Sequence, residues 1–286
     1  MKKLLGIAIL LLSLTSCHKD FLRVSLLGHS WKIVVDDQFA YAHFFNENCA
    51  ATLQTNLTTG ANQIVHGTYT TDGHRVDITG EGAVNSSLVR TFSNLKNSRN
   101  KNFSAVQPAR FTSMEGSVWS TIQDGDYRMF FFHPDGQLTQ ATYTNVSRRE
   151  GFPYGWSREE LSYTLDGSYV TIGDQVFTLY PEIMTGNTTA YLIDGYPVIA
   201  AGSSSLSGTI WTCQTGTYPG YIVFVTGQRL VRILMANASQ YVHDTGSYTL
   251  AGNKLSVTIG DAQETVNVSG GKFTLFERTY NLFEEE

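Results

Sequence analysis

The chain has 286 residues, of which 12% are aromatic and 16% charged, and its 20 basic and 25 acidic side chains give a formal net charge of −5. Nucleic acid is therefore not an expected partner, because phosphate backbones are bound by clustered Lys and Arg. Basic residues concentrate in the short segment Lys96–Lys101, where no aromatic residues alternate with them. We interpret that segment as a solvated turn.

The N-terminal residues have the pattern of a secretory signal. Two lysines precede an apolar run from Leu4 to Leu14, which is too short to span a bilayer permanently. The run leads into Leu14-Thr15-Ser16-Cys17, which resembles the bacterial lipobox. The resemblance implies a signal peptide over residues 1–16, cleavage before Cys17, and lipidation of that cysteine with acyl chains such as palmitate. Several acyl chains on one residue attach a protein stably to a membrane.

Cys17 is the predicted membrane attachment, since no later stretch approaches 18 consecutive apolar residues. His18 follows it, rather than the aspartate that resembles an inner-membrane retention signal, which favours the outer membrane. Exported lipoproteins of the Bacteroides group often carry an acidic run here, whereas His18-Lys19-Asp20 supplies one carboxylate. The periplasmic face and the cell surface both stay open.

A spaced repeat is the strongest internal pattern of the chain. Leu26-x-Gly28-x-x-Trp31, Met114-x-Gly116-x-x-Trp119 and Leu206-x-Gly208-x-x-Trp211 recur at intervals of 88 and 92 residues. We call these three segments the openings. A residue that recurs at one position of every copy is most simply a packing residue, so we expect the three tryptophans in cores.

A second block follows each opening, and it contains Tyr69, Tyr163 or Tyr248 before an alternating apolar segment. Period-two alternation is typical of a half-buried strand. Met129–Phe132, the turn residues 133–136 and Leu138–Tyr143 predict a hairpin. The last copy alone offers seven or eight such strands, separated by turns every eight to twelve residues. The sequence therefore predicts an all-β protein.

These repeated residues resemble the lipocalin-like lipoproteins of the Bacteroides group. The resemblance implies three tandem antiparallel β-modules, each a small barrel or meander, over residues 24–108, 112–201 and 204–286. We expect filled cores, because eight-stranded barrels are only just wide enough to be filled by side chains. Tyr127–Phe132 and Tyr221–Val225 are apolar on both faces, so we also expect the modules to pack against one another.

The second module carries an insertion that the other two lack. The interval from tryptophan to tyrosine is 44 residues there, against 38 and 37 in the first and third copies. Phe152, Tyr154 and Trp156 lie in this interval, next to Pro153. Exposed loop aromatics anchor partners, so these three are the candidate ligand- or partner-binding residues. The alternative is that the segment covers a sheet edge or seals a contact between modules.

No motif indicates catalysis, a metal or a cofactor. The seven histidines have no His-x-x-x-His spacing, no Gly-x-Ser-x-Gly occurs, and adjacent carboxylates such as Glu159-Glu160 suit solvation. Cys49 and Cys213 fall at non-equivalent positions of different modules, so we favour two buried thiols over a disulfide.

The sequence thus predicts a non-catalytic cell-envelope lipoprotein. Its modules would present loops to a glycan, a small apolar ligand or an envelope protein. A structural subunit of an outer-membrane or surface complex is the alternative, and a hydrolase whose site assembles in space is the third choice. A large internal cavity would favour the ligand function.

Overall fold

A computed structural model of the chain describes residues 24–36, 38–57, 61–80, 85–123, 126–144, 155–186, 192–196, 206–213, 219–225, 228–237 and 240–283. Over these residues the secondary structure consists of 24 β-strands and one 3-10 turn, Pro134–Gly136. The all-β prediction is confirmed. In this part of the chain, no helix is long and apolar enough to cross a membrane.

The first eight strands form a ring that we call barrel 1. Consecutive strands pair antiparallel, and β8 pairs back with β1 through Ser30–Lys32. The strands are β1 (Ser30–Val35), β2 (Gln38–Phe44), β3 (Cys49–Asn56), β4 (Ala61–Thr71), β5 (Arg75–Gly80), β6 (Asn85–Arg90), β7 (Leu95–Lys96) and β8 (Asn102–Val106).

The next eight strands form a closed barrel, barrel 2, in which β16 pairs with β9. The predicted hairpin is confirmed, because β10 and β11 pair around the 3-10 turn. The strands are β9 (Val118–Gln123), β10 (Asp126–Phe132), β11 (Gln137–Thr144), β12 (Gly155–Asp166), β13 (Tyr169–Ile172), β14 (Gln175–Leu179), β15 (Ile183–Gly186) and β16 (Leu192–Tyr196).

The last eight strands form an incomplete ring, which we call open barrel 3. β24 pairs with β17. β22 and β23 form no ladder with each other, and the described residues 262–275 contain only one isolated bridge outside the named ladders, from Ser269 to Lys272. The strands are β17 (Thr209–Cys213), β18 (Gly220–Val225), β19 (Arg229–Asn237), β20 (Gln240–Ala251), β21 (Lys254–Ile259), β22 (Ala262–Asn267), β23 (Lys272–Leu275) and β24 (Arg278–Leu282).

Barrel 1 and open barrel 3 belong to one continuous sheet. β4 pairs with β20 through Ala61–Gln63 and Gln240–Val242, which joins the two strand sets into a 16-stranded sheet. The described residues therefore form two hydrogen-bonded sheets, and the prediction of three tandem modules is not confirmed. The three strand sets nevertheless fall within the predicted residue ranges, and Gln107-Pro108 lies between β8 and β9.

The three openings form the same turn. In each, the glycine has a positive φ (69°, 74° and 82°), and its N–H donates to the carbonyl of Phe44, Phe132 or Phe224 on the following strand. The residue after the glycine donates its N–H to the carbonyl three positions earlier. Glycine is favoured because the left-handed region costs it no Cβ clash. The turn directs Trp31, Trp119 and Trp211 into cores, where each is at most 3% exposed.

Each strand set has its own apolar cluster, and a further cluster joins all three. Side chains alternate on β10, so that Phe130 and Phe132 pack inside barrel 2 while Tyr127, Met129 and Phe131 pack in the joint cluster. β18 divides its residues in the same way between open barrel 3 and the joint cluster. The expectation that these strands are covered on both faces is confirmed, because their outer faces pack in the cluster that joins the strand sets.

Candidate functional site

Most of the residues predicted to have a function lie outside the described chain. Cys17, Phe152 and Tyr154 are among them, so the lipid anchor and most of the candidate loop stay predictions. Trp156 is described and lies at the beginning of β12, where it pairs with Tyr143 of β11.

Trp156 contacts residues of both barrel 2 and open barrel 3. Its ring centroid lies 5.4 Å from that of Tyr143, 5.5 Å from Tyr221 and 6.4 Å from Phe283, with edge-to-face geometry. The indole Nε1 donates to the carbonyl of Cys213 at 3.4 Å. These contacts correspond to the alternative interpretation, in which the segment seals a contact between modules. They do not test whether the neighbouring aromatic residues bind a partner.

The two described cysteines are both free thiols, as favoured from the sequence, but Cys49 is only partly buried, so the expectation of two buried thiols is wrong for it. Cys213 is buried, and this burial raises the pKa of its thiol. A raised pKa suppresses the thiolate, which is the nucleophilic form. Cys213 therefore fits a packing role.

A buried Ser–His pair lies between barrels 1 and 2. The Ser30 hydroxyl is hydrogen-bonded to Nδ1 of His43 at 2.7 Å, and the His43 ring lies 6.1 Å from that of Tyr180. Burial, followed by the charge of His29, lowers the pKa of His43 to about 4. Ser30 is 0% exposed, so a substrate carbonyl has no access to its hydroxyl in this structure. The pair therefore serves packing between the barrels.

A cavity lies inside barrel 1, at the end where β1 turns into β2. Its volume is about 680 Å³. Residues of five strands and two connections line it: Ile33, Val35, Asp36, Gln38, Ala40, Tyr41, Ala42, Thr52, Gln54, Ser87, Leu88, Asn97, Ser98, Arg99 and Phe103. We call this cavity the cup. The expectation of a filled core holds for the apolar cluster of barrel 1 but not for this end of the barrel.

Small side chains on β2 open the cup. In each strand set, the N–H of the opening glycine donates to the carbonyl of a phenylalanine. These reference phenylalanines, which we use to align the three strand sets, are Phe44, Phe132 and Phe224. Two residues earlier, barrel 1 has Ala42, whereas barrel 2 has Phe130 and open barrel 3 has Ile222. Since the side chain two residues away lies on the same strand face, all three point inward. An alanine there leaves the space that a phenylalanine or isoleucine fills.

The neighbouring strand shows the same difference. The reference phenylalanines pair with Ala50 in barrel 1, Leu138 in barrel 2 and Leu230 in open barrel 3. Two residues further along, the inward positions hold Thr52, Gln140 and Arg232 respectively. At both positions, the side chain in barrel 1 is smaller than its counterparts in barrel 2 and open barrel 3. Of these smaller side chains, Ala42 and Thr52 line the cup.

The cup is apolar in its depth and polar at its mouth. Ile33, Leu88 and Phe103 belong to the apolar cluster of barrel 1, whereas Gln38 and Gln54 at the mouth are exposed. Such a distribution suits a molecule with an apolar body and a polar end.

A hydrogen-bonded turn places Arg99 at the mouth of the cup. The side-chain oxygen of Asn97 accepts the backbone N–H groups of Arg99 at 3.0 Å and Lys101 at 2.9 Å. The Lys96 ammonium donates to the side-chain oxygen of Asn100 at 3.0 Å. The basic segment, expected to be only a solvated turn, is thus part of the cup wall. Asp36 contributes an opposite charge at the same mouth.

The sequence contains a signal for the cup. When the strands that follow each opening are aligned, Ala42 corresponds to Phe130 and Ile222 in the other two copies. No group of three or more His, Cys, Asp or Glu side chains is arranged to hold a metal ion in the described ranges.

No protein-family model and no curated protein sequence matches the chain. Solved structures that resemble it include the DNA polymerase III subunit beta of Pseudomonas aeruginosa, at 7% identity and a TM-score of 0.14, covering 91% of this chain and 94% of the other. A DnaN sliding clamp of Bartonella birtlesii is also 7% identical, with a TM-score of 0.13 and 92% coverage of each chain. Similarity this low carries no argument about fold or function.

Proposed function

We propose that the protein binds a small amphipathic molecule in the cup of barrel 1, without a catalytic step. The observation that carries the proposal is that the cup is open at positions where barrel 2 and open barrel 3 hold large side chains. Its volume of about 680 Å³ lies within the range of roughly 300–1,000 Å³ that is usual for small-molecule sites.

The chemistry of the lining defines the ligand class. An apolar ring or chain would pack against Ile33, Leu88 and Phe103, and each buried methylene contributes about 0.8 kcal/mol. A polar or anionic end would lie at the mouth, where Arg99 offers a charged hydrogen-bond donor and Gln54 a neutral one. The proposed ligand is therefore apolar at one end and hydrogen-bonding at the other.

The location of this binding site is part of the proposal. A lipidated Cys17 would hold the barrels at the outer membrane of a bacterial envelope, as the lipobox-like segment predicts. Barrel 2 and open barrel 3 would then support barrel 1 through the joint apolar cluster. Detection of a diacylglyceryl-modified Cys17 by mass spectrometry of the membrane fraction would support the anchor, and an unmodified cysteine there would contradict it.

The cup is tested with anilinonaphthalene sulfonate, a fluorescent probe with an apolar ring system and an anionic group. We expect the unmodified protein to bind it with a fluorescence increase, and Ala42→Phe to weaken binding at least tenfold by filling the cup as Phe130 fills barrel 2. Ala251→Phe is the matched control, because Ala251 is exposed on open barrel 3. Equal binding by the unmodified protein and Ala42→Phe would refute the proposal.

A further inference from the structure

A second cavity lies in the seam between barrel 2 and open barrel 3. Its volume is about 410 Å³. Barrel 2 contributes Phe131, His133 and Pro134, and open barrel 3 contributes Ser207, Gly208 and Val225. We call it the seam pocket. It is separate from the cup, with which it shares no lining residue.

A chain of hydrogen bonds holds the His133 ring. Its Nε2 lies 2.7 Å from the hydroxyl oxygen of Thr139, and that oxygen lies 2.8 Å from each carboxylate oxygen of Glu160. Arg158 donates to the same carboxylate at 2.6 Å through its Nε. Thr139 is 0% exposed, so water does not replace these partners.

This chain fixes the tautomer of His133. An ionised carboxylate only accepts hydrogen bonds, so the single hydroxyl proton of Thr139 is donated to Glu160. The Thr139 oxygen must then accept from His133, which places the ring proton on Nε2. Nδ1 of the neutral ring consequently carries a lone pair and acts as an acceptor. Burial lowers the pKa of His133, which keeps the ring neutral at neutral pH.

The other residues that line the seam pocket indicate which kind of ligand could donate a hydrogen bond to Nδ1 of His133. Phe131 and Val225 are 3% and 1% exposed and supply an apolar wall. Glu115 is the charged side chain among the described residues that line the pocket, and its charge is negative. A carboxylate beside a neutral acceptor favours a cation that carries N–H donors, and it disfavours an anion.

We propose that the seam pocket is a second ligand site, which takes a small arylalkyl ammonium compound. The aromatic body packs against Phe131 and Val225, and the ammonium group donates to Nδ1 of His133 and approaches Glu115. Thr139 is a positioning residue, because it acts on the ligand through the orientation and tautomer of His133. The site is independent of the cup in its residues and opposite in its charge preference.

The probe for this site is phenethylammonium, with ethylbenzene as the analogue that lacks the donor. We expect phenethylammonium to shift the NMR resonances of Phe131 and Val225, and to bind at least tenfold more tightly than ethylbenzene. His133→Phe keeps a ring against Phe131 but removes the acceptor, and it should remove that preference. Thr139→Val retains the shape but releases the ring, and it should weaken phenethylammonium binding severalfold.

Two measurements keep the outcome independent of folding and of the cup. Each variant should bind anilinonaphthalene sulfonate as the unmodified protein does, which would show that barrel 1 is intact. If the cup binds no probe, each variant should instead keep the thermal unfolding midpoint of the unmodified protein. No shifts at Phe131 and Val225 with millimolar phenethylammonium would overturn the seam site. Equal binding by a folded His133→Phe variant would overturn it as well.

Discussion

Arg232 and Asp244 form an ion pair inside open barrel 3, with the guanidinium Nη2 2.6 Å from the carboxylate. The pair occupies the cross-strand position that Thr52 and Val65 occupy in barrel 1, where Thr52 lines the cup. Arg232 also lies over the ring of Phe276 at 5.3 Å. The ion pair therefore fills, in open barrel 3, the space that barrel 1 leaves open.

Removing one partner of this pair should cost more than removing both. Arg232→Thr leaves the partly buried Asp244 carboxylate without its main cation, and we expect the free energy of unfolding to fall by about 1–3 kcal/mol. Arg232→Thr combined with Asp244→Val reproduces the barrel 1 residues and should recover part of that loss. Urea unfolding measures the free energy of unfolding of the single and the double variant. A double variant less stable than Arg232→Thr would contradict the comparison of the strand sets.

A histidine in the first opening leaves one buried indole without a hydrogen bond. In the second and third openings, Ser117 and Thr209 accept from the tryptophan Nε1 at 2.9 Å. His29 stands at the same position in barrel 1, and Nε1 of Trp31 has no partner among the described residues.

We therefore expect His29→Ser to stabilise the protein by about 1 kcal/mol, because it supplies the missing acceptor. Ser117→Ala is the reciprocal control, and it should destabilise by a similar amount because it leaves Nε1 of Trp119 unpaired. Chemical denaturation of both variants measures the two effects. A loss of stability in His29→Ser would count against this explanation.

Trp156→Ala should destabilise the contact between barrel 2 and open barrel 3. The half-buried ring packs against Tyr143, Tyr221 and Phe283, and we expect a loss of about 2–4 kcal/mol. Thermal unfolding measures the effect, and Tyr154→Ala serves as the comparison within the same inserted segment. An unchanged melting temperature for Trp156→Ala, together with loss of a bound partner, would instead favour the recognition role of the segment.

His43 should make the stability of the protein depend on pH. Its pKa is lowered to about 4 in the folded protein, whereas an unfolded histidine titrates near 6.5. Between these values the unfolded chain binds the proton more strongly, so the stabilising contribution is full above about pH 6.5 and is lost as the pH falls towards 4.

The largest effect from His43 is about 3 kcal/mol, which corresponds to the separation of the two pKa values. His43→Gln keeps a hydrogen-bonding group for Ser30 but cannot titrate, so it should flatten this part of the pH profile. Denaturant unfolding at a series of pH values from 4 to 7 checks the prediction. A variant with the same pH profile as the unmodified protein would rule out His43 as the source.

The sequence by itself determined the local structure. The three openings formed the same hydrogen-bonded turn, and the strands predicted in the last copy were found from Thr209–Cys213 to Arg278–Leu282. These features depend on alternation, glycine conformations and turn residues, which lie within a few positions of one another. Two-faced strands such as β10 also indicated packing between the strand sets, because an apolar residue on either face must be covered.

Only the tertiary structure decided where the sheets join and where space is left. The pairing of Ala61–Gln63 with Gln240–Val242 links segments far apart in sequence, and alternation along a strand does not specify its neighbour. The cup depends on the sum of side-chain volumes across strands whose register fixes that Ala42 faces Thr52. Volume is a property of the assembled barrel, so the small residues indicate a cavity only when the side chains that face them are known.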